Sequence, residues 1–295
     1  DTVQHEAPPA PSASDAAEPL IELINVSRRF VSRGKWFATA STVDAVREVS
    51  LTIRQGEFVG IVGESGSGKT TVARMIAGLD QPTEGKVLVR GTDATVQTAA
   101  ARHERLETLQ LIFQDPQSAL NPRRMVENLL AQAMEADHRD HSKAERAERV
   151  TDLLREIGMP AESRRRFPSQ LSGGQRQRIN IGRALCVAPK ILIADEIVSG
   201  LDVSVQAQIL NLLLRLREEL DISLLLISHD LSVVRYICSR VLVMHQGYVV
   251  ESGATEQIFA DPQHEYTRAL LAAVPPDDAS APWPPKFSEG APRAT

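Results

Sequence analysis

The chain has 295 residues, 42% of them hydrophobic and 24% charged, a balance that predicts a folded protein with a sizeable core. A formal net charge of −5 disfavours a nucleic-acid partner, because a phosphate backbone is bound by a basic surface. No apolar run approaches the roughly 20 residues that span a bilayer, so any membrane role requires a partner protein. Cys186 and Cys238 lack metal-ligand spacing and lie among apolar residues, which predicts two buried, reduced thiols.

The first 19 residues are rich in Ala, Pro and Ser and show no apolar period, which predicts a disordered tail or linker. They lack the charged start and apolar centre of a signal peptide. The chain begins with Asp1 and not with Met, so we expect a processed or excised segment.

Two alternating stretches follow, and they predict a small antiparallel sheet over Leu20–Ile24 and Val43–Ile53. Phe30 lies between them, where an aromatic ring could stack on an adenine base. Spacing alone favours packing of Phe30 in the core, and Trp36 or Phe37 could stack on the base instead.

The most informative stretch is GESGSGKT at residues 63–70, which fits the pattern G-x-x-x-x-G-K-[ST] and is here called the phosphate loop. A predicted strand, residues 57–62, precedes it and a predicted helix follows it. Backbone N–H groups and a helix N-terminus favour a polyphosphate, and a lysine and a hydroxyl would contact phosphate and Mg²⁺. The alternative is a glycine-rich turn without a ligand. The predicted ATP contacts are Gly63, Glu64, Ser65, Gly66, Ser67, Gly68, Lys69, Thr70 and Thr71.

Helices are predicted over residues 125–158, after an irregular loop that begins at Asp115. A later helix opens with Ser172, Gly173, Gly174 and Gln175. Ser172 and Gln175 have the spacing of a capping box, which is a sufficient structural reason for them. Two glycines destabilise the first turn of a helix, so the beginning of the helix alone does not explain them. Exposed backbone N–H groups at a helix N-terminus bind anions, and a second phosphate contact is therefore the better interpretation.

A near-continuous apolar run at residues 190–194 predicts a buried parallel strand that ends in Asp195 and Glu196. Side chains alternate along a strand, so the two carboxylates should diverge. One can then hold Mg²⁺ while the other polarises a water molecule.

Asp202 is predicted to cap a helix whose apolar face is Ile209, Leu212, Leu213, Leu216 and Leu220. The next predicted strand, Ile222–Ile227, leads to His229. A lone histidine after a strand is more often structural. This strand should nevertheless lie beside the Asp195 strand, and strand ends at that edge of a sheet hold the ligand.

These motifs, taken in order, resemble the nucleotide-binding subunits of ATP-binding cassette (ABC) transporters over Leu20–Pro275. LSGGQ separates that family from other P-loop proteins, including small-molecule kinases. The motifs that carry the resemblance are the phosphate loop, Gln114, LSGGQRQR at 171–178, ILIADE at 191–196, SGLD at 199–202 and His229.

The resemblance implies that Glu196 activates the attacking water and that His229 contacts the γ-phosphate. It implies that Gln114 senses both metal and γ-phosphate, a catalytic role, and that Asp195 supports Mg²⁺ together with Thr70 and Gln114. The signature residues are implied to close over ATP held by another subunit, next to a D-loop that contains Ser199 and Asp202. They are Leu171, Ser172, Gly173, Gly174 and Gln175.

FQDPQSALNPR at 113–123 and DPQHEYTRALLAAVP at 261–275 resemble the oligopeptide/dipeptide importer group. We therefore expect an α/β ABC-type nucleotide-binding domain over 20–260, with a small antiparallel β subdomain and an inserted helical subdomain at about 115–178. A C-terminal extension covers 261–295. The expected function is ATP hydrolysis that powers peptide import. The alternatives are import of another solute, such as nickel or glutathione, and a non-transport ABC ATPase acting on nucleic acid or the ribosome.

The resemblance also implies partners: two transmembrane permease subunits, an extracytoplasmic substrate-binding protein and a second nucleotide-binding domain. It places the chain at the cytoplasmic face of the membrane. We expect the second domain to be non-identical, and the linker-like residues 1–19 leave open a fusion of both domains in one polypeptide. A trimmed tail in a homodimer is the alternative.

Overall fold

The computed structural model describes residues 19–32, 41–112, 115, 119–135 and 142–273. The strands are β1 (Pro19–Ser32), β2 (Ser41–Arg54), β3 (Phe58–Val62), β4 (Glu84–Val89), β5 (Thr92–Asp93), β6 (Leu109–Ile112), β7 (Ile191–Asp195), β8 (Ser223–Ile227), β9 (Arg240–His245) and β10 (Tyr248–Ala254). The α-helices are α1 (Lys69–Ile76), α2 (Ala99–Thr108), α3 (Val126–Met134), α4 (Lys143–Glu156), α5 (Gly173–Leu185), α6 (Val203–Leu220), α7 (Leu231–Ile237), α8 (Thr255–Ala260) and α9 (Glu265–Ala272).

The predicted small antiparallel sheet is confirmed. It has four strands in the order β2-β1-β4-β5. Strand β1 is longer than the predicted Leu20–Ile24 and continues to Ser32. Its pairing with β2 shifts register after Leu23 and again after Val26. Each shift interrupts the alternation of apolar and polar residues. Apolar and polar residues therefore do not alternate regularly in the second half of β1, and the sequence does not identify that half as a strand.

The second sheet has the order β10-β9-β3-β8-β7-β6 and is parallel except for β10, which pairs antiparallel with β9. Its central strands β3, β7 and β8 are buried on both faces. In β8, Leu224 and Leu226 contact the helices of one face, whereas Leu225 and Ile227 contact the core shared with α1 and the antiparallel sheet. The carboxyl ends of β3, β7 and β8 lie at one edge, where the predicted site residues follow.

Helices α3 and α4 and two short 3₁₀ turns, Ala161–Arg165 and Pro168–Gln170, lie between β6 and β7. They share a hydrophobic core with α5 and α6. The limits of a helical subdomain at about 115–178 stay a prediction. Of the residues predicted for the apolar face of α6, Leu220 is the one that is not buried, because it is 41% exposed. It is the last residue of its helix, and the core contacts end one turn earlier at Leu216.

Both cysteines are buried and free, as predicted. Burial raises the pKa of Cys186 and of Cys238 to about 12, so both remain thiols at neutral pH. None of the helices in the described part of the chain is long and apolar enough to cross a membrane.

Candidate nucleotide-binding and hydrolysis site

The phosphate loop joins the end of β3 to α1 and lies under the β9–β10 turn. Gly68 precedes α1 with a φ of 105°, and a Cβ there would collide with the Ala45 carbonyl oxygen. Gly63 has a φ of 147° and faces the Met244 carbonyl oxygen in the same way. Both positions require glycine because backbone passes where a side chain would begin. The Gly247 N–H also donates to the Ser67 carbonyl oxygen at 3.1 Å.

Lys69 turns its ammonium group back into the loop. Its Nζ donates to the carbonyl oxygens of Gly63 and Glu64, each at 2.7 Å, and the residue is only 6% exposed. Burial lowers the pKa of Lys69, while the carboxylates of Glu196, Asp195 and Glu64 oppose that shift. A buried cation that contacts carbonyl oxygens suits a polyanionic ligand.

The tip of the loop is open. Glu64, Ser65 and Gly66 are exposed, as is Thr70 in the first turn of α1, whereas Thr71 is half-buried. The Ser67 hydroxyl is buried and makes no hydrogen bond within the described residues. Because a buried hydroxyl without a partner is costly, a phosphate oxygen is a suitable acceptor for it.

Asp195 and Thr70 form the part of the site that suits a metal. Thr70, in α1, is near enough to Asp195, at the end of β7, to influence the pKa of that carboxyl group. Burial raises the pKa of Asp195, and the Thr70 side chain and the Lys69 charge act in the opposite direction. A carboxylate and a hydroxyl are the oxygen ligands that Mg²⁺ prefers. Gln114, the third predicted metal residue, lies outside the described residues.

The Glu196 side chain contacts His229. The Glu196 Oε1 lies 3.0 Å from His229 Nδ1, and the Glu196 N–H donates to the Ile227 carbonyl oxygen at 2.9 Å. Glu196 has a φ of 49°, in the left-handed region that costs a residue with a side chain about 1–2 kcal/mol. This backbone turn, at the first residue after β7, directs the carboxylate towards the end of β8. The sequence predicted that strand alternation would separate the two acids, but that argument does not apply, because β7 ends at Asp195 and Glu196 lies in a left-handed turn after it.

The Glu196 carboxylate only accepts hydrogen bonds, so the contact requires the proton of His229 to be on Nδ1. The His229 side chain is 61% exposed, so it is not a buried structural histidine. Its Nε2 atom then remains available for a ligand. The pairing holds the carboxylate in one orientation, which suits a base that takes a proton from a positioned water molecule.

The signature residues open α5. Ser172 Oγ accepts from the Gln175 N–H at 3.3 Å and Gln175 Oε1 accepts from the Ser172 N–H at 3.0 Å, which confirms the capping box. A Cβ on Gly174 would lie 2.5 Å from Val205 Cγ1, whereas a Cβ on Gly173 would meet only Leu201 at 3.5 Å. Packing therefore explains Gly174 but not Gly173.

Leu171 is buried ahead of the capping box. Among the hydrogen bonds made by the described residues, those of Ser172 and Gln175 do not reach the phosphate loop. The predicted signature contact with ATP on another subunit stays a prediction.

The D-loop connects Glu196 to α6. The Ser199 N–H donates to the Glu196 carbonyl oxygen at 3.0 Å. Asp202 caps α6, as predicted, by accepting from the Val205 N–H at 3.0 Å, and that hydrogen bond with the one from the Ser204 hydroxyl lowers the pKa of Asp202.

Phe30 is not a core residue, so the interpretation that spacing alone favoured is wrong. The residue is 39% exposed, and the Arg28 guanidinium lies 4.5 Å from the ring centroid. Phe30 pairs with Val43, two residues before the Ala45 that touches the phosphate loop. An exposed ring at this end of the antiparallel sheet is consistent with adenine stacking, which stays a prediction. Trp36 and Phe37 lie outside the described residues.

One residue at the site was missed. Tyr266, in α9, accepts a hydrogen bond from the Glu64 N–H at 3.0 Å. The stretch around Tyr266 resembles peptide importers, but that resemblance assigns Tyr266 no role at the phosphate loop. No spacing rule relates residues that are 202 positions apart in the chain.

Residues 46–199 match the family described as "ABC transporter". The chain is 46% identical over 271 residues to the probable peptide ABC transporter ATP-binding protein y4tS of Sinorhizobium fredii, covering 90% of this chain and 75% of that protein. It is 40% identical over 257 residues to the dipeptide transport ATP-binding protein DppF of Haemophilus influenzae, covering 87% and 78%.

A solved dimeric structure of the ATP-binding cassette MJ0796, in a post-hydrolysis state bound to ADP and Pi, superimposes with a TM-score of 0.70 at 30% identity. It covers 80% of this chain and 98% of the other. The phosphate loop, the carboxylate edge and these similarities agree, and the chain belongs to the ABC transporter family as an ATP-binding cassette.

Proposed function

We propose that Glu196 is the base for ATP hydrolysis in this cassette and that His229 orients it. The observation that carries the proposal is the 3.0 Å contact between Glu196 Oε1 and His229 Nδ1. This contact lies at the same sheet edge as Lys69 and Asp195, so the base, the cation and the metal-binding carboxylate share one opening. Thr70 and Asp195 would hold Mg²⁺, which when bound neutralises the charge that develops on the transferred phosphoryl group.

We further propose that the signature of a second cassette completes the site. The capping box places the backbone N–H groups of Gly173 and Gly174 at the N-terminus of a 13-residue helix, where an anion is favoured. Gly173 leaves that approach open. A site with parts on two subunits would hydrolyse ATP only when the subunits close on each other.

The proposed output is import of peptides through membrane permease subunits, with an extracytoplasmic protein that delivers the peptide. Relatives at 46% and 40% identity that carry peptide-transport names support this cargo. The test is uptake of labelled dipeptides and longer oligopeptides into vesicles that hold the assembled transporter, with a Glu196→Gln variant as control. ATP-dependent uptake by the parent alone is expected. Peptide-independent ATPase with uptake of nickel or glutathione instead would contradict peptide import.

The second cassette is proposed to be a different chain. Mass and stoichiometry of the purified transporter test this directly: two unlike cassettes, separate or within one polypeptide, are expected. A transporter with two identical copies of this chain would contradict the proposal.

A further inference from the structure

The C-terminal segment, residues 261–273, is fixed to the cassette at its first turn. The carboxylate of Glu251 in β10 accepts from the N–H groups of Gln263 and His264, at 2.7 and 3.0 Å. His264 then caps α9, because its Nδ1 accepts from the Tyr266 N–H at 3.1 Å. The start of α9 is therefore held in a defined position against β10.

From this position Tyr266 reaches the phosphate loop. Its ring lies on the His245 ring, with centroids 3.9 Å apart and an angle of 30° between the planes. Its hydroxyl oxygen accepts from the Glu64 N–H at 3.0 Å. Burial raises the pKa of Tyr266, so the hydroxyl stays protonated and uncharged at neutral pH.

The Glu64 residue is thus held at both of its backbone polar groups. Its N–H donates to Tyr266, and its carbonyl oxygen accepts from Lys69 Nζ at 2.7 Å and from the Ser67 N–H at 3.2 Å. Glu64 is otherwise exposed, and so are Ser65 and Gly66 after it. The contact from the C-terminal segment fixes the entry of a loop whose tip has little other support.

We propose that Tyr266 is a positioning residue for the phosphate loop, through which the C-terminal segment sets the affinity of the cassette for nucleotide. This inference rests on the proposed nucleotide site. A glycine-rich loop loses much conformational entropy when it is ordered, and a loop that is ordered before binding avoids that cost during binding. Loss of the hydroxyl should weaken ATP binding about three- to ten-fold, the range for one neutral hydrogen bond.

The test compares Tyr266→Phe with Tyr236→Phe in the full chain. Tyr236 is a matched control, because its hydroxyl donates to Asn211 Oδ1 at 2.8 Å on the exposed side of α7. Four quantities are measured: the Kd for a fluorescent ATP analogue with Mg²⁺, the melting temperature without nucleotide, and KM and kcat in the assembled transporter. Each variant loses one hydrogen bond, so both are expected to lower the melting temperature by a similar amount, about a few degrees at most. Only Tyr266→Phe is expected to raise Kd and KM, about three- to ten-fold, with kcat unchanged.

A parental Kd and KM in Tyr266→Phe would overturn the inference. So would a lower melting temperature with a loss of kcat and an unchanged KM, since that pattern indicates packing alone. Lys69→Ala distinguishes an error in the role proposed for Tyr266 from an error in the proposed nucleotide site. If Lys69→Ala has lost binding while Tyr266→Phe has not, only the positioning role is wrong, whereas parental binding by Lys69→Ala overturns both.

Hydrogen exchange of the unmodified chain gives a second test, which needs no substitution and so does not depend on whether a variant folds. Coupling between two sites is reciprocal, so nucleotide that favours the ordered loop must also favour the docked segment. Exchange across residues 261–273 is expected to slow several-fold when the Mg²⁺-ATP analogue saturates the chain. Exchange that is identical with and without nucleotide would overturn the inference.

Discussion

The two signature glycines should respond in opposite ways to the addition of one methyl group. A Cβ on Gly174 would lie 2.5 Å from Val205 Cγ1 of α6, a distance at which the neighbour must move. A Cβ on Gly173 would meet Leu201 Cδ2 at 3.5 Å, which is an ordinary contact. Packing thus requires glycine at position 174 but not at position 173, where a requirement for glycine would be functional.

The magnitudes follow from these distances. Overpacking costs about 1–3 kcal/mol, and replacing glycine by alanine in a helix returns up to about 1 kcal/mol. Gly174→Ala should therefore lower the free energy of unfolding, by up to about 3 kcal/mol. Gly173→Ala should leave it unchanged or raise it by up to about 1 kcal/mol, while its methyl group obstructs the approach of phosphate to the helix N-terminus.

Urea unfolding of each purified variant measures the first effect, and ATPase activity of the assembled transporter measures the second. We expect Gly173→Ala to retain stability and lose hydrolysis on the order of 10²-fold, the size of effect seen when one anion-stabilising donor is removed. Full hydrolysis by Gly173→Ala would refute the argument that the signature meets a nucleotide. Equal stability losses in both variants would refute the packing distinction.

Four further changes test the site. Glu196→Gln should keep ATP binding and lose most hydrolysis, because an amide cannot accept the proton, and substantial turnover with normal Mg²⁺ dependence would exclude Glu196 as the base. Lys69→Ala should weaken nucleotide binding itself through loss of a charge-assisted contact, as a binding titration would show, whereas parental affinity would mean that the phosphate loop is misassigned. Ser172→Arg should leave a folded chain that binds ATP but block hydrolysis in the assembled pair, so normal hydrolysis by that variant would contradict the two-subunit site. Burial raises the pKa of Asp195 in the folded chain above its value in the unfolded chain, so the folded state holds the proton more tightly. The contribution of Asp195 to the free energy of unfolding is therefore full at acid pH and is lost as the pH rises through the raised pKa. Urea unfolding across the acid range should show Asp195→Asn gaining stability relative to the parent as the pH rises, and a pH-independent difference would contradict the assignment.

The sequence was sufficient for the elements whose pattern is local. The apolar runs that became β3, β7 and β8 are buried on both faces, so they stand out without knowledge of the fold. The caps at Ser172 and Asp202 use side chains within three residues of their partners, and both were predicted. Such features depend on spacing along the chain, which the sequence shows directly.

Features that depend on tertiary context were not predictable. Arg29, Phe30 and Val31 are all exposed, because the end of β1 extends beyond its pairing with β4, which stops at Ser27. The left-handed backbone at Glu196 is maintained by its hydrogen bond to the end of β8. The contact between Tyr266 and Glu64 joins residues that are distant in sequence and use no charge or metal spacing that could have marked them.

In the proposed two-subunit arrangement, one chain supplies the phosphate loop and Glu196 to one ATP site and its signature to the other site. The contacts of the signature give a physical reason for this arrangement. The Ser199 N–H bonds to the Glu196 carbonyl oxygen, and Asp202 then caps α6, on which Val205 packs against Gly174. The carboxylate proposed as the base and the signature of the same chain are therefore joined through a short series of close-packed contacts. Because well-packed groups move together rather than independently, a shift of Glu196 when ATP is hydrolysed should displace the signature that serves the other site. On this argument the two sites communicate within each chain as well as across the interface, and cavity-forming substitution of Val205 by Ala should weaken cooperativity between the sites more than it weakens ATP binding.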